Sequence, residues 1–196
     1  LEHALDHLDH DGVALLSDVD GRYLGDPSYE ELFAELDRRS AVVFIHPHTD
    51  PRRKPRYEFL FPLLEWPVHT TRAVMDLLYS GRLARYPNIR YILAHGGGSV
   101  PYLAHRMAEG LQKGGDRQVE GDRGNFRSEG EGRSGPSPGG EEEVLAGLNL
   151  LRGLYYDAAS PGEGHFASLM KLAGPGHILF GTDGGWTPPV EMSLKI

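Results

Sequence analysis

The sequence contains no cysteine, and this absence excludes several kinds of site. A chain of 196 residues without a thiol has no disulfide framework, no thiolate metal site and no cysteine nucleophile. Any zinc-type site must then use histidine and carboxylate ligands, and the sequence offers 10 His and 28 Asp or Glu. The lack of cysteine is also compatible with a reducing compartment, so we expect a cytoplasmic protein.

Long apolar runs and basic patches are missing as well. No run approaches the roughly 18 apolar residues that a membrane-spanning helix needs, and no signal-peptide pattern opens the chain. Basic residues are fewer than acidic ones, 20 against 28, which gives a formal net charge of −8. This balance disfavours nucleic acid as a partner. We therefore expect no nucleic-acid or membrane partner, and a small-molecule ligand instead.

One segment lacks apolar residues almost entirely. Residues 114–143 hold nine Gly, eight Asp or Glu and four Arg, with Val119 and Phe126 as the clear apolar side chains. Such a composition cannot bury enough apolar surface to offset the entropy cost of ordering. We expect a disordered, solvated insertion within a single domain that covers residues 1–196.

The rest of the chain alternates between strand and helix patterns. Apolar runs predict strands at 12–17, 41–45, 89–94, 154–157 and 177–181. Helical spacing of apolar residues predicts helices at 27–39, 67–85, 99–113 and 164–173, and a short helix directly after the insertion. This alternation indicates an α/β fold with a parallel sheet and crossover helices.

Two folds share that alternation, the doubly wound sheet and the TIM barrel. No G-x-G-x-x-G motif follows the first strand, which weakens the nucleotide-binding alternative. Ionisable side chains instead follow four strands directly, as in the active site of a TIM barrel. A complete barrel needs about 250 residues and eight strands. We therefore predict a partial TIM (β/α)8 barrel, comprising about strands 4 to 8.

The four strand-end side chains are His46, His95, Asp157 and Asp183. Imidazole and carboxylate groups ligate metals and transfer protons. Each residue also has a structural alternative. His46 could serve a purely structural role, His95 could simply begin a tight turn, and either Asp could cap the next segment. For Asp157 we favour the structural role.

The remaining histidines have weaker placements. His3, His7 and His10 lie in an acidic opening segment, which predicts a solvated helix face. His48 alternates with His46, but Pro47 is expected to end the strand between them. We therefore rank His48 well below His46.

Four motifs occur in an order that points to one family. They are FIHP at 44–47, PVHTTRA at 67–73, RYPNIRYILAHGGGSVPYLAHR at 85–106 and LFGTD at 179–183. Together they resemble the amidohydrolase-related family typified by 2-amino-3-carboxymuconate-6-semialdehyde decarboxylase, which includes 6-methylsalicylate and gamma-resorcylate decarboxylases. The resemblance runs from about Gly12 to Pro188.

The resemblance implies a TIM barrel that holds one divalent metal, zinc in most members and manganese as an alternative. It implies that His46 and Asp183 are metal ligands and that His95 acts on substrate or on metal-bound water. Asp183 would also relay a proton. Arg106 would bind the substrate carboxylate, across a dimer in some members, and Phe59 would line the substrate pocket.

One part of the family pattern has no counterpart here. The H-x-H pair that ends the family's first strand is absent, because the sequence starts near the fourth strand with Leu1. We expect missing residues before Leu1, and we expect the 196 residues alone to bind metal poorly and to have little or no activity.

The resemblance implies a metal-dependent decarboxylase of an aromatic or unsaturated carboxylic acid, with a homodimer as an expected assembly. Two alternatives stay open at this point. A hydrolase on the same barrel would attack a lactone or amide with metal-bound hydroxide. A non-catalytic remnant is the third possibility.

Overall fold

The computed structural model describes residues 1–48, 57, 61–114, 140–159 and 162–183. Its strands are β1 (Gly12–Leu16), β2 (Asp18–Val19), β3 (Arg22–Tyr23), β4 (Val42–His46), β5 (Arg90–Leu93), β6 (Tyr155–Asp157) and β7 (Ile178–Leu179). Its α-helices are α1 (Glu30–Arg38), α2 (Trp66–Tyr79), α3 (Arg82–Arg85), α4 (Val100–Gly114), α5 (Gly140–Arg152) and α6 (Glu163–Ala173). Single 3-10 turns lie at Pro27–Tyr29, His95–Gly97 and Pro175–His177, and π-helical turns at His3–His7 and Phe61–Glu65.

Five of these strands form one parallel sheet in the order β1-β4-β5-β6-β7. Each crossover therefore moves to the next strand in the same direction, without the reversal of order that defines a doubly wound sheet. Register is continuous across the sheet, since Leu16 pairs with His46 and Leu93 pairs with Tyr156. This sequential order confirms the prediction of a partial barrel.

Alternation along β4 explains why its last residue points into the site. Val43 and Ile45 are fully buried in the main apolar cluster, together with Phe33 of α1 and Leu77 of α2. Burying one such side chain contributes about 1.5–3 kcal/mol. Because successive strand residues face opposite sides, the second set of side chains, which ends in His46, faces the inside of the curved sheet.

A small hairpin follows the first strand. β2 and β3 pair antiparallel, and the two residues between them, Asp20 and Gly21, have φ of 53° and 79°. Two successive residues with positive φ form the tight turn that suits the twist of a hairpin. The hairpin places Asp18 directly beyond the end of β1.

Two helical segments differ from the predictions. The helix expected over 67–85 is divided at Gly81, whose φ of 74° ends the first helix and precedes α3. Glycine adopts this left-handed conformation without a steric penalty. The segment 114–143 also differs at both ends, because Gly114 closes α4 and helix α5 already begins at Gly140. Residues 115–139 lie outside the described ranges.

The opening segment forms a short π-helical turn whose histidines are exposed, as the sequence predicts. Among the described helices, none combines the length and the apolar character needed to cross a membrane.

Candidate metal centre

The carboxyl ends of the strands bring the predicted polar residues together. His46 ends β4, His95 follows β5, Asp157 ends β6 and Asp183 follows β7. Parallel neighbouring strands place their carboxyl ends along one edge of the sheet, which is where TIM barrels carry their active sites. Residues separated by up to 137 positions in the sequence therefore share one small volume.

Three of these side chains lie at ligand distance from one another. His46, His95 and Asp183 each offer a ligand atom, and these atoms all lie within 4.8 Å of each other. His95 Nε2 is 3.6 Å from an Asp183 carboxylate oxygen. Ligands bound to zinc at roughly 2.0–2.2 Å in a tetrahedral shell are about 3.3–3.6 Å apart. The described residues thus fit a divalent cation with nitrogen and oxygen donors.

His46 has one ring nitrogen occupied and the other available. Its Nδ1–H donates to the carbonyl of Pro47 at 2.6 Å. A hydrogen bond of this type fixes the tautomer, so the lone pair of the neutral ring is on Nε2. Pro47 therefore orients the ligand that precedes it.

His95 sits at the start of an unusual turn. Its own φ is 54°, and Gly96, Gly97 and Gly98 have φ of 61°, 75° and 62°. The glycines also allow close packing, because a Cβ on Gly98 would lie 2.2 Å from the carbonyl oxygen of Pro67. The turn therefore requires glycine both for its backbone angles and for the space around it.

The environment of His95 favours the neutral imidazole. Burial lowers the pKa of His95, and the nearby Asp157 carboxylate opposes this effect by raising it. The Nδ1 atom of His95 is buried and has no hydrogen-bond partner among the described residues. A neutral buried imidazole is suited to ligate a metal or to accept a proton.

Asp157 supports the site without joining the three ligand-distance residues. Its Oδ1 accepts hydrogen bonds from the N–H groups of Ala159 at 3.1 Å and Gly96 at 3.3 Å. Burial raises the pKa of the Asp157 carboxyl, and these two N–H groups partly offset the effect. The structural role favoured from the sequence agrees with this geometry.

A cavity of about 550 Å³ opens beside two of the three residues. Its wall includes both His95 and Asp183, and the Trp66 indole, which stacks on His95 with ring centroids 6.2 Å apart. His165 of α6 and Tyr102 of α4 complete one side. A volume of this size suits a small aromatic ligand.

Sequence reasoning missed two residues of this wall. Trp66 lies at the start of α2 and His165 lies within α6, so neither follows a strand. Trp66 could have been recognised in the sequence as a candidate site residue, because it directly precedes the PVHTTRA motif. No local signal marked His165, because its place depends on how α6 packs against the turn after β5.

Of the two predicted substrate-binding residues, the structure describes Arg106 alone. Arg106 lies in α4 with an exposed side chain, and it does not line the described cavity. Phe59 lies outside the described residues.

A second polar cluster lies near the site. The buried Asp18 accepts a hydrogen bond from His69 Nδ1 at 3.0 Å, and His48 Nε2 is 3.4 Å from the same oxygen. Asp18 also accepts the backbone N–H of Gly21 at 3.0 Å. His48 and His69 both contact this carboxylate.

Comparisons with known proteins agree with this geometry. A model of the amidohydrolase family matches residues 1–192. The 6-methylsalicylic acid decarboxylase of Aspergillus aculeatus is 37% identical over 188 residues, which cover 93% of this chain and 51% of the fungal protein. An amidohydrolase II structure superimposes with a TM-score of 0.74 and 26% identity, covering 98% of this chain and 55% of that one.

A third similar protein was solved with a metal. It is a dihydroxybenzoic acid decarboxylase from a Polaromonas species with bound manganese and the inhibitor 2-nitroresorcinol. Its TM-score is 0.67 at 13% identity, over 98% of this chain and 55% of that one. At this identity the likeness shows the shared fold.

The chain spans about half the length of the curated relatives that it matches. The order of the motifs predicted the family, the sheet order agrees with its barrel, and the family model covers almost the whole chain. The chain belongs to the amidohydrolase family.

Proposed function

We propose that this protein is a metal-dependent carboxy-lyase that removes carbon dioxide from an aromatic or unsaturated carboxylic acid. The observations that carry this proposal are the convergence of His46, His95 and Asp183 and the 550 Å³ cavity, walled by Trp66, that His95 and Asp183 line. The relatives that are named decarboxylases support the reaction class.

The residues fit zinc, with manganese as the alternative. His46 Nε2 and the Asp183 carboxylate would hold the cation, and His95 lies close enough to add a third donor. A bound divalent metal would stabilise the negative charge that develops as the carbon–carbon bond to the carboxylate breaks. No organic cofactor is required for that step.

Decarboxylation needs one proton at the carbon that loses the carboxylate. The bond to the carboxyl carbon breaks, its electron pair stays on the substrate carbon, and a proton then takes the place of carbon dioxide. Asp183 would relay this proton and His95 would orient the reacting groups, since the two side chains are 3.6 Å apart.

The surrounding residues suggest how the substrate is held. The Trp66 indole offers an apolar face for an aromatic ring beside His95. We keep Arg106 as a candidate for the substrate carboxylate in a homodimer, because an exposed guanidinium of one protomer could serve a partner's site. Phe59 remains a candidate pocket residue. The absence of cysteine supports a cytoplasmic location.

The test measures release of labelled carbon dioxide from carboxyl-labelled 6-methylsalicylate at saturating Zn²⁺ or Mn²⁺. We expect slow, metal-dependent release by the chain, abolished in His95→Ala and Asp183→Asn. The exposed His105 supplies the matched control, and His105→Ala should keep the wild-type rate.

Other outcomes would overturn the proposal. Addition of water to a lactone or amide without carbon dioxide release would assign a hydrolase. Metal binding at the predicted residues without turnover of either kind, in a protein of its relatives' full length, would assign a non-catalytic remnant.

A further inference from the structure

The turn that carries His95 does not hold itself in place. His95 and the three glycines after it all have positive φ, a conformation that is unfavourable for a non-glycine residue such as His95. The turn makes two internal hydrogen bonds, from Gly97 N–H to the carbonyl of Ala94 and from Gly98 N–H to the carbonyl of His95. Neither of these hydrogen bonds involves the N–H or the carbonyl of Gly96, so these two groups have no partner within the turn.

Side chains from two other elements satisfy those groups. The Gly96 N–H donates to Asp157 Oδ1 at 3.3 Å, and the Gly96 carbonyl accepts from His165 Nε2 at 3.1 Å. Asp157 comes from β6 and His165 from α6. The residue next to His95 is therefore fixed from both sides by the strand and helix that follow it along the chain.

Packing reinforces both contacts. The His165 ring covers Gly96 so closely that a Cβ there would lie 2.7 Å from its Cε1 atom. Asp157 packs in addition against Gly181, where a Cβ would lie 3.1 Å from the Asp157 Cβ. Gly181 stands two residues before Asp183, so Asp157 touches the segments that carry both His95 and Asp183.

The hydrogen bond also defines the state of the His165 ring. Because Nε2–H donates to the Gly96 carbonyl, Nδ1 of the neutral ring is left as an acceptor. The ring lines the cavity beside His95 and Ser168. His165 thus links the backbone of the turn to the wall of the proposed substrate cavity.

We propose that Asp157 and His165 are positioning residues that clamp the Gly96 peptide and thereby hold the His95 imidazole at ligand distance from Asp183. This inference rests on the proposed role of His95 in the metal-dependent site. Neither residue needs to touch the reacting atoms, because each acts through the backbone of the turn.

The experiment compares removal of each contact with its conservative replacement. Asp157→Ala and His165→Ala delete the acceptor and the donor, whereas Asp157→Asn keeps a side-chain oxygen and His165→Gln keeps a side-chain N–H. The matched control is His177→Ala, which removes another imidazole-to-carbonyl hydrogen bond, from His177 Nδ1–H to Leu154, away from this turn.

Three readouts are measured on the purified chain: amide exchange at Gly96, the ring resonances of His95, and the affinity for Mn²⁺ alone. In the two alanine variants we expect about tenfold faster exchange or a displaced His95 ring signal, and about tenfold weaker Mn²⁺ binding, the scale on which outer-shell partners act. The conservative variants should stay within about threefold of the wild type, and so should the His177→Ala control. Circular dichroism identifies any variant that fails to fold. If an alanine variant does not fold, the exchange, ring signals and Mn²⁺ affinity of the conservative variants test the inference instead.

Unchanged exchange and ring signals in folded alanine variants would overturn the inference. So would conservative variants that behave like the alanine variants. Exchange and ring signals need neither metal nor turnover, so they decide this inference even if the wild-type chain releases no carbon dioxide. Failure of the proposed function would appear separately, in the carbon dioxide assay.

Discussion

The Trp66 indole lies nearly parallel to the His95 imidazole, with ring centroids 6.2 Å apart and planes inclined by 17°. The His46 ring lies 6.4 Å from the same indole. Trp66 therefore stands beside two of the three residues that fit a divalent cation, and its fluorescence should respond when one binds.

A Trp186→Phe variant makes this response specific, because the chain contains two Trp residues. We expect Mn²⁺, which is paramagnetic, to quench the remaining Trp66 emission in a saturable way. The measurement is a fluorescence titration at neutral pH. Adding His46→Ala to the same background should remove the saturable phase, and its persistence at full amplitude would contradict the assignment of His46.

Metal affinity should depend on His46 and Asp183 directly. Loss of an outer-shell partner already weakens metal binding by tenfold to a hundredfold, so His46→Ala and Asp183→Asn should each weaken Zn²⁺ binding by at least about tenfold. Calorimetric titration measures the change. His105→Ala, on the exposed face of α4, should leave the affinity unchanged. Equal affinities in all the variants would place the metal elsewhere.

Particular residues show how far the sequence predicts this architecture. The continuous apolar run before His46 predicts a strand, so the strand-end position of His46 could be assigned locally. The alternation of burial along Val42–His46, which gives the direction of the last side chain, is seen only in the structure. His95 and Asp183 follow the same rule at two other strands. Strand ends can be recognised in sequence, and the sequential sheet order then brings them together.

Features that depend on packing between distant elements could not be predicted. His165 reaches Gly96 across 69 positions, and His69 reaches Asp18 across 51. Neither contact has a local pattern, since one requires the placement of a helix against a turn and the other the placement of a helix against a hairpin strand. The break at Gly81 was not predicted for a different reason: a single glycine within a helical pattern is often tolerated.

The Asp18–His69 pair should contribute measurably to stability. Asp18 is 2% and His69 is 3% exposed, and their hydrogen bond is 3.0 Å long. Removing the donor leaves a buried carboxylate with one fewer partner, which costs about 1.5–3 kcal/mol for a hydrogen bond to a charged group. We expect His69→Ala to lower the free energy of unfolding by about that amount in urea titrations.

A matched replacement separates hydrogen bonding from packing. His69→Asn keeps an N–H near the position of Nδ1 and should recover part of the lost stability. If His69→Ala and His69→Asn were equally destabilised, the loss would come from the missing ring volume and the hydrogen bond to Asp18 would carry little energy.

The half-buried carboxyl of Asp76 should make stability depend on pH. It accepts the Gly25 N–H at 2.5 Å. Burial raises the pKa of Asp76 above its ordinary value of 3.8, while the Gly25 N–H opposes this. The Asp76 carboxyl therefore holds its proton more tightly in the folded state than in the unfolded state. Its contribution to stability is full below pH 3.8 and is lost as pH rises through the pKa of the folded state.

Asp76→Asn removes this titration and keeps an oxygen that can accept from Gly25. The free energy of unfolding of the variant, relative to that of the wild type, should therefore increase as pH rises from about 4 to 7. Urea midpoints at each pH would measure this change. Glu31→Gln, on the exposed face of α1, supplies the control for loss of one negative charge. The same pH dependence in both variants would mean that the partial burial of the Asp76 carboxyl has no effect on stability.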